Sequence, residues 1–342
     1  MTTVREIAEF AGVSKSTVSL VLNNKPGVSD EMRQTVLDAV NELEALELDD
    51  LLPEKIGFDT VADHKSQALS IMVLHPPVLR SSYVFSEVLQ GIQSAAERYK
   101  LQLRLVVNDP LASAQHVSNL YLTDEYLRPD GVLVFGARQH EPLLEKVIAR
   151  DIPCVVLGRE AKKYNVSGIE RDEVHYGYHL TQHLLDLGHR SIAFVGGETE
   201  YDYTNNRLKG YQQALRDAGI ADDEHIVCLG NGTQATASVL QTYPDLTAIV
   251  YVNDSYALEG LTAIRQHNKR IPDDLSIASF DNSEFARNCP TPITSIAYDH
   301  FKEGQWAIKM LLDQIRHSFL AKSQLVFKGE LIVRQSTSAP PK

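Results

Sequence analysis

From Ala68 onward, apolar runs of strand length alternate with helical patterns, and the alternation runs through twice. The first pass reads strand Ile71 to Leu74, helix Glu87 to Tyr99, strands Leu103 to Val107 and Gly131 to Phe135, helix Pro142 to Arg150 and strand Cys154 to Leu157. The second reads helix Val174 to Leu187, strand Ile192 to Val195, helix Asn206 to Ala218, strands Ile226 to Leu229 and Ala248 to Val252, helix Tyr256 to Gln266 and strand Ser276 to Phe280. Strands joined through helices pair in parallel, because a parallel neighbour needs a long crossover. Two such passes imply an α/β chain with two doubly wound parallel-sheet lobes.

Strand Ser295 to Ala297, helix Phe301 to Arg316 and strand Glu330 to Val333 follow both passes, so the chain is expected to cross back between lobes near Pro290 and again near Lys322. The expected organisation is a small domain over 1–48, a linker over 49–68, lobe one over 69–159 and 293–322, and lobe two over 160–292 and 323–337. In sheets of this kind ligands bind outside the carboxyl ends of the strands, here between the lobes.

The first fifty residues follow a helical rhythm. Thr3 can cap a helix with Val4, Ile7, Ala8 and Ala11 on one face, and Gly12 ends it. Ser14 can cap a second helix with Val18, Val21 and Leu22 inward, and the short Gly12-Val13-Ser14 connection makes the two helices cross steeply. After the turn at Asn23 to Gly27, Ser29 can cap a third helix with Met32, Val36, Val40 and Leu43 along one stripe. This is helix-turn-helix punctuation. The outer side of the second helix carries Lys15, Ser16, Ser19 and Leu20, with Thr17 beside them, types that hydrogen-bond base edges or phosphates and touch a thymine methyl. Against that reading stands a plain three-helix protein-interaction domain, favoured by ten acidic against four basic residues through Asp50.

Composition limits the partners. A net charge of −12 over 342 residues excludes a surface coated in nucleic acid, so any DNA contact must be small and localised. No charge-free stretch reaches bilayer length, and Arg5, Glu6 and Glu9 occupy the place of a secretory core, so a cytoplasmic protein with no membrane partner is expected. Cys154, Cys228 and Cys289 are far apart and form no C-x-x-C pair, which suits reduced packing residues.

The run from Val4 to Asn23, V-R-E-I-A-E-F-A-G-V-S-K-S-T-V-S-L-V-L-N, resembles the DNA-binding signature of the LacI/GalR family of bacterial transcription regulators. The resemblance continues in L-G-H-R-S-I-A-F-V-G-G from Leu187 to Gly197, R-L-K-G-Y from Arg207 to Tyr211, Asn253-Asp254, I-P-D-D-L-S-I-A-S-F-D-N from Ile271 to Asn282, and Val333 to Thr337. It implies that Lys15, Ser16 and Leu20 read bases and that Ser14, Thr17 and Asn23 hold the phosphate backbone; Thr3 completes the candidate DNA-contacting set. It also implies a periplasmic-binding-protein-like sensor whose cleft residues are Arg207, Asn253 and Asp281, with Arg159 and Tyr298 beside them.

The chemistry suits such a cleft independently: a guanidinium facing a carboxylate can make paired hydrogen bonds to adjacent hydroxyls, while a ring covers an apolar face. Tyr83 and Phe85, after the first strand, could supply rings. For each charged residue the alternative is an interlobe ion pair or a helix cap.

Family members follow the third helix with a basic hinge containing A-R-x-L, whose leucine wedges into the minor groove. Nothing between Glu44 and Gln67 matches it. The acidic run from Glu44 to Pro53 would repel phosphate. Either the third helix runs on to Pro53 and pairs with a second subunit through Leu48, Leu51 and Leu52, or the segment is a disordered acidic linker.

Other signals carry less. His175, His179 and His183 share a helical face, but the Glu and third ligand of a known zinc site are missing. Gly196-Gly197 follows a strand without a phosphate-loop pattern, no G-x-S-x-G elbow or cysteine nucleophile motif is present, and Trp306 suits a core position. The sequence therefore points to a DNA-binding regulator, not an enzyme, with no cofactor or metal. Its expected partners are a pseudo-palindromic operator, a second copy of itself, and a small polar effector, a sugar first and a purine or other metabolite second. The alternative is a metabolite-binding or protein-interaction module with weak or no DNA binding.

Overall fold

The computed structural model describes residues 3–22, 25, 27–29, 32–37, 39–40, 68–75, 82–107, 128–135, 142–158, 160–197, 202–221, 225–317 and 322–341. It divides into two compact units, Met1–Gln67 and Ala68–Lys342.

In the first unit, helix α1 spans Val4–Phe10 and α2 spans Lys15–Leu22. Residues 32–37 and 39–40 are helical. Thr3 caps α1 in a full capping box: the Glu6 amide donates to the Thr3 hydroxyl, and the Thr3 amide donates to the Glu6 carboxylate. Gly12 takes φ 66°, and the Val13 amide closes the helix end on the Ala8 carbonyl. Ile7, Ala8, Val18, Val21 and Val36 form the core, with Val13, Val28 and Val40 against it. Val4, Leu22 and Met32, expected inside, are exposed. Helices of seven and eight residues bring only one or two side chains each into so small a core, and positions flanking those fall off its edge. Leu43 and the linker from 49 to 67, with its candidate pairing leucines, lie outside the described residues.

In the second unit the chain builds β1 (Ser70–His75), α3 (Ser82–Arg98), β2 (Gln102–Val107), β3 (Gly131–Phe135), α4 (Pro142–Ile148), β4 (Cys154–Leu157), a short α5 (Glu160–Lys163) and β5 (Ser167–Arg171). It then enters α6 (Glu173–Asp186), β6 (Ile192–Gly196), α7 (Asp202–Asp217), β7 (Ile226–Leu229), α8 (Gly232–Thr242), β8 (Ala248–Tyr251), α9 (Asp254–Gln266), β9 (Ser276–Phe280), α10 (Glu284–Asn288) and β10 (Thr294–Ala297). Helix α11 (His300–Arg316), β11 (Gln324–Phe327) and β12 (Glu330–Ile332) complete it.

Two six-stranded sheets result, ordered β11-β5-β4-β3-β1-β2 and β12-β10-β9-β8-β6-β7. Every pair is parallel except β10 with β12. The doubly wound reading stands, with the order of β1, β3 and their neighbours set by crossover helices.

The crossings between lobes fall later than expected. Strand β5 pairs with β4, so the first crossing follows Arg171 rather than Arg159. Strand β10 pairs with β9 and α11 packs on the first lobe, so the return follows Ala297 rather than Pro290. Strand β11 pairs with β5, so the last crossing follows Phe327 rather than Lys322. Strand β5 reads Ser-Gly-Ile-Glu-Arg, with one large apolar residue, yet it is buried. The Ser167 hydroxyl accepts from the Ser323 amide, and Glu170 meets Lys162 at 3.0 Å. Satisfied polar groups can occupy a sheet interior, and an apolar count overlooks them. Helix α8 was also unforeseen; the Asn231 side chain caps it on two amides, and Ala235, Val239 and Leu240 face the core.

Glycines let helices touch. A Cβ at Gly177 on α6 would overlap the Arg207 carbonyl of α7, and one at Gly210 on α7 would overlap the Val174 carbonyl. Gly91 on α3 and Gly304 on α11 repeat this device in the first lobe, against Phe301 and Val88. Trp306 packs on that lobe's core with Lys309 over its ring. The three cysteines are free thiols. The His175 and His179 rings meet at a tilt, their centroids 4.2 Å apart, while His183 meets the Thr337 hydroxyl at 3.0 Å. Among the described residues no helix is long and apolar enough to cross a membrane, and no three side chains are grouped as for a metal ion.

Candidate functional site

Two sites lie on separate units. In the first, Ser14 precedes α2, and its hydroxyl accepts from the Thr17 amide at 3.1 Å while meeting the Ser16 and Thr17 hydroxyls at 2.7 and 2.8 Å. The cap starts α2 at Lys15, and a helix N-terminus is where an anionic oxygen is favoured. Lys15 and Ser16 are exposed, and Thr17 and Leu20 are half-buried on the same turn and the next. Thr3 sits differently, its amide and hydroxyl both engaged by Glu6, whose carboxylate is held below its ordinary pKa by those bonds. A carboxylate beside it disfavours a phosphate. Asn23 lies outside the described residues.

The second site gathers where the lobes join. The close α6–α7 crossing at Gly177 and Gly210 brings Glu173, in the first turn of α6, against Arg207. Arg207 is 2 % exposed and donates through Nε and Nη2 to both Glu173 oxygens, at 2.6 and 3.0 Å. Its Nη1 donates to the Val252 carbonyl at 2.5 Å, and Nη2 reaches Asp281 at 3.5 Å. The guanidinium lies over the Phe280 ring, 4.3 Å from its centroid. Burial opposes the charge, but Glu173 and Asp281 more than restore it and raise the pKa of Arg207.

Asp281 follows β9 with φ 92°, and Asn282 follows with φ 53°, two consecutive non-glycine residues in the left-handed region. Such backbone is held by its surroundings: the Asp281 amide donates to the Ile296 carbonyl, the Asn282 amide to Ser295, and Arg334 holds the Asn282 side chain. Behind them, Asp254 accepts from the Ser279 and Ser295 hydroxyls and the Ser283 amide. Burial, reinforced by the nearby Asp281 charge, pushes its pKa up to about 6. Asn253 caps α9, its Oδ1 accepting from the Tyr256 amide at 3.1 Å, so the helix-cap role exists alongside any ligand role for its amide nitrogen.

Tyr298, between β10 and α11, donates to Glu173 at 3.3 Å. Burial and the Glu173 charge raise its pKa well above the ordinary value. Arg171 lies over its ring at 5.2 Å, and a Cβ at Gly329 would press on that ring. Residues of all three crossings thus meet at Tyr298. Arg171 itself forks onto Glu303 of α11, Nε to Oε1 at 2.7 Å and Nη2 to Oε2 at 2.5 Å. Burial would raise the Glu303 pKa, but the guanidinium overrides it and holds it down at about 2. Arg171 also approaches His300 Nδ1 at 3.3 Å, and the buried Nε2 of that ring has no hydrogen-bond partner among the described residues.

Sequence reasoning thus identified Arg207, Asp281 and Tyr298 as neighbours but missed Arg171, Glu173, His300 and Glu303. The signal available was the charged run Arg171-Asp172-Glu173 between a strand and a helix. Tyr83 and Phe85, expected after the first strand, lie in the first turn of α3. The Tyr83 hydroxyl donates to Glu87 and accepts from Arg287 of the other lobe at 3.4 Å. Phe85 is buried between His75 and Phe135, the last residues of β1 and β3, at 4.8 and 5.2 Å. Arg159 lies outside the described residues.

Comparison with known proteins agrees with this architecture. The profile described as "Bacterial regulatory proteins, lacI family" matches residues 3–44, and that described as "Periplasmic binding protein-like domain" matches residues 181–337. The chain is 28% identical to the HTH-type transcriptional regulator DegA of Bacillus subtilis, over 98% of each chain. It is 29% identical to the HTH-type transcriptional repressor CytR of Escherichia coli, over 99% of this chain and 97% of the other. Among solved structures, the transcriptional regulator CelR–cellobiose complex matches with TM-score 0.73 and 25% identity, covering 98% of this chain and 100% of that one. The chain belongs to the lacI family of bacterial regulatory proteins: it is a DNA-binding regulator of transcription rather than an enzyme, with a helix-turn-helix head and an effector-binding sensor of two parallel-sheet lobes.

Proposed function

We propose that the protein is a cytoplasmic repressor that binds a pseudo-palindromic operator as a homodimer and changes its grip when a small polar molecule, a sugar first and a purine second, enters the interlobe cleft. The observation that carries the effector reading is the convergence of Arg207, Asp281 and Tyr298 at the lobe junction, with Asn253 adjoining. Paired donors and acceptors beside rings are what a sugar or base requires. The similarity to CelR, whose structure contains cellobiose, favours a sugar.

Lys15, Ser16 and Leu20 read bases, and Ser14, Thr17 and Asn23 hold the backbone; Thr3 contributes mainly by starting α1. One head buries too little surface for tight binding, so two read half-sites about 34 Å apart. The edge strands supply a face for the second copy: Leu105 and Val107 of β2, and Val227 and Leu229 of β7, alternate outward and are exposed. Phe285 is 67% exposed. Effector binding acts by stabilising one arrangement of the lobes over another, which requires a different affinity for each.

Selection of operators from a random duplex library tests this, with the full chain beside a Lys15→Ala/Ser16→Ala variant. Enrichment of a two-fold-symmetric site that the variant loses is the expected result. Failure to enrich any site, with metabolite pools present, would leave a metabolite-binding or protein-interaction role.

A further inference from the structure

Arg207 is the guanidinium that an anionic effector would seek, and it is already answered. Glu173 takes its Nε and one Nη2 proton in a fork, the Val252 carbonyl takes an Nη1 proton, and Asp281 draws the other Nη2 proton. One N–H of five is left. The second guanidinium, Arg171, is forked by Glu303 in the same way. Among the described residues of this cluster, three carboxylates (Glu173, Asp281, Glu303) face two guanidiniums (Arg171, Arg207), an excess of one carboxylate.

Acceptors are correspondingly open. Among the described residues the only hydrogen-bond partner of the Asp281 carboxylate is Arg207, at the limit of bonding distance, while Oδ2 is unengaged. The hydroxyl of Thr204, fully buried one turn before Arg207, likewise has no hydrogen-bond partner among the described residues. An effector phosphate or carboxylate would have to displace Glu173 and strand a buried carboxylate, or lie beside Asp281 with like charges at close range.

We propose that Glu173 sets the charge selectivity of the effector cleft: by neutralising Arg207 it restricts the cleft to molecules that carry no anionic group and offer hydroxyl or amine donors to Asp281. Glu173 is thus a specificity determinant, and phosphorylated or carboxylated relatives of the effector are rejected. This rests on the reading of the cleft given above as the effector site.

The test uses the full chain and inorganic phosphate, with the matched pairs ribose and ribose 5-phosphate, and glucose and glucose 6-phosphate, in calorimetric titration and thermal melting. The wild type is expected to show no saturable binding of inorganic phosphate or of either sugar phosphate. Glu173→Gln, which keeps the shape and removes the charge, is expected to bind inorganic phosphate at least about tenfold more tightly than the wild type, and Glu173→Gln/Arg207→Met is expected to lose the gain. A wild type that binds a sugar phosphate more tightly than its neutral partner overturns the proposal, as does a folded Glu173→Gln variant with no gain for phosphate. Glu173→Ser supplies the same comparison if the glutamine variant does not fold. The cleft reading fails separately: a neutral sugar that binds equally well to wild type, Arg207→Met and Asp281→Asn binds elsewhere, whatever its charge.

Discussion

Gly177 of α6 lies against the main-chain carbonyl of Arg207 on α7, so closely that a methyl group would overlap it. The contact fixes more than helix packing, because Glu173 sits one turn before Gly177 and owes its fork on Arg207 to that crossing. Gly177→Ala is expected to cost about 3 kcal/mol, as overpacking against rigid backbone does. It is also expected to loosen the Glu173–Arg207 pair. Urea unfolding of the full chain measures the first effect, and operator titration with and without effector the second.

Arg171 and Glu303 form a second buried fork. Arg171→Met leaves the Glu303 carboxylate without its counter-charge and is expected to cost about 3–5 kcal/mol, whereas Arg171→Met/Glu303→Leu, which removes both charges, is expected to recover most of that loss. A double-mutant cycle on unfolding free energies separates the pair from simple loss of side-chain volume.

Asp254 gives the opposite pH behaviour from a normal ion pair. Its folded pKa is raised from 3.8 to about 6, so between these values the folded state holds a proton that the unfolded chain releases. The associated stabilisation is full below pH 3.8, falls as pH rises through about 6, and is absent above it. Asp254→Asn removes this titration. The wild type, compared with the variant, is expected to lose about 3 kcal/mol of relative stability between pH 4 and 7, with the order of magnitude set by about 1.4 kcal/mol per pKa unit. Urea midpoints at the two pH values check the sign. For Glu303, lowered from 4.5 to about 2, stability is instead present in full above the ordinary carboxylate pKa and is lost as pH falls from there through about 2.

Ser14 starts the reading helix by accepting from the Thr17 amide. Ser14→Ala is expected to cost about 1 kcal/mol of local stability in the head. Faster amide hydrogen exchange over residues 15–22, with exchange beyond residue 68 unchanged, is the expected signature.

The exposed pairs Leu105/Val107 and Val227/Leu229 predict that a charge on either edge weakens self-association. Val227→Asp is expected to shift the protein toward monomer in sedimentation equilibrium and to weaken operator binding at low protein concentration.

The helix-turn-helix and the two-pass α/β layout were legible in the chain because both are written locally. Thr3, Gly12 and Ser14 punctuate helices through their own backbone and nearest amides. Strands such as Gly131–Phe135 and Cys154–Leu157 are continuous apolar runs of the kind a buried parallel strand accommodates.

Where the chain changes lobe, and what surrounds Arg207, depend on partners far away in sequence. Strand β5 has too few apolar residues to announce itself, and it is a strand because β4 and β11 lie on either side of it and satisfy its backbone. Arg171, Glu173 and Glu303 are spread over two crossings and look like ordinary surface charges when read along the chain. They become a buried, paired cluster only once glycine-mediated helix crossings and the three lobe connections converge on Tyr298. Periodicity records which face of an element is apolar; which charges an interior can hold is decided by counter-charges that tertiary structure alone brings within hydrogen-bonding distance.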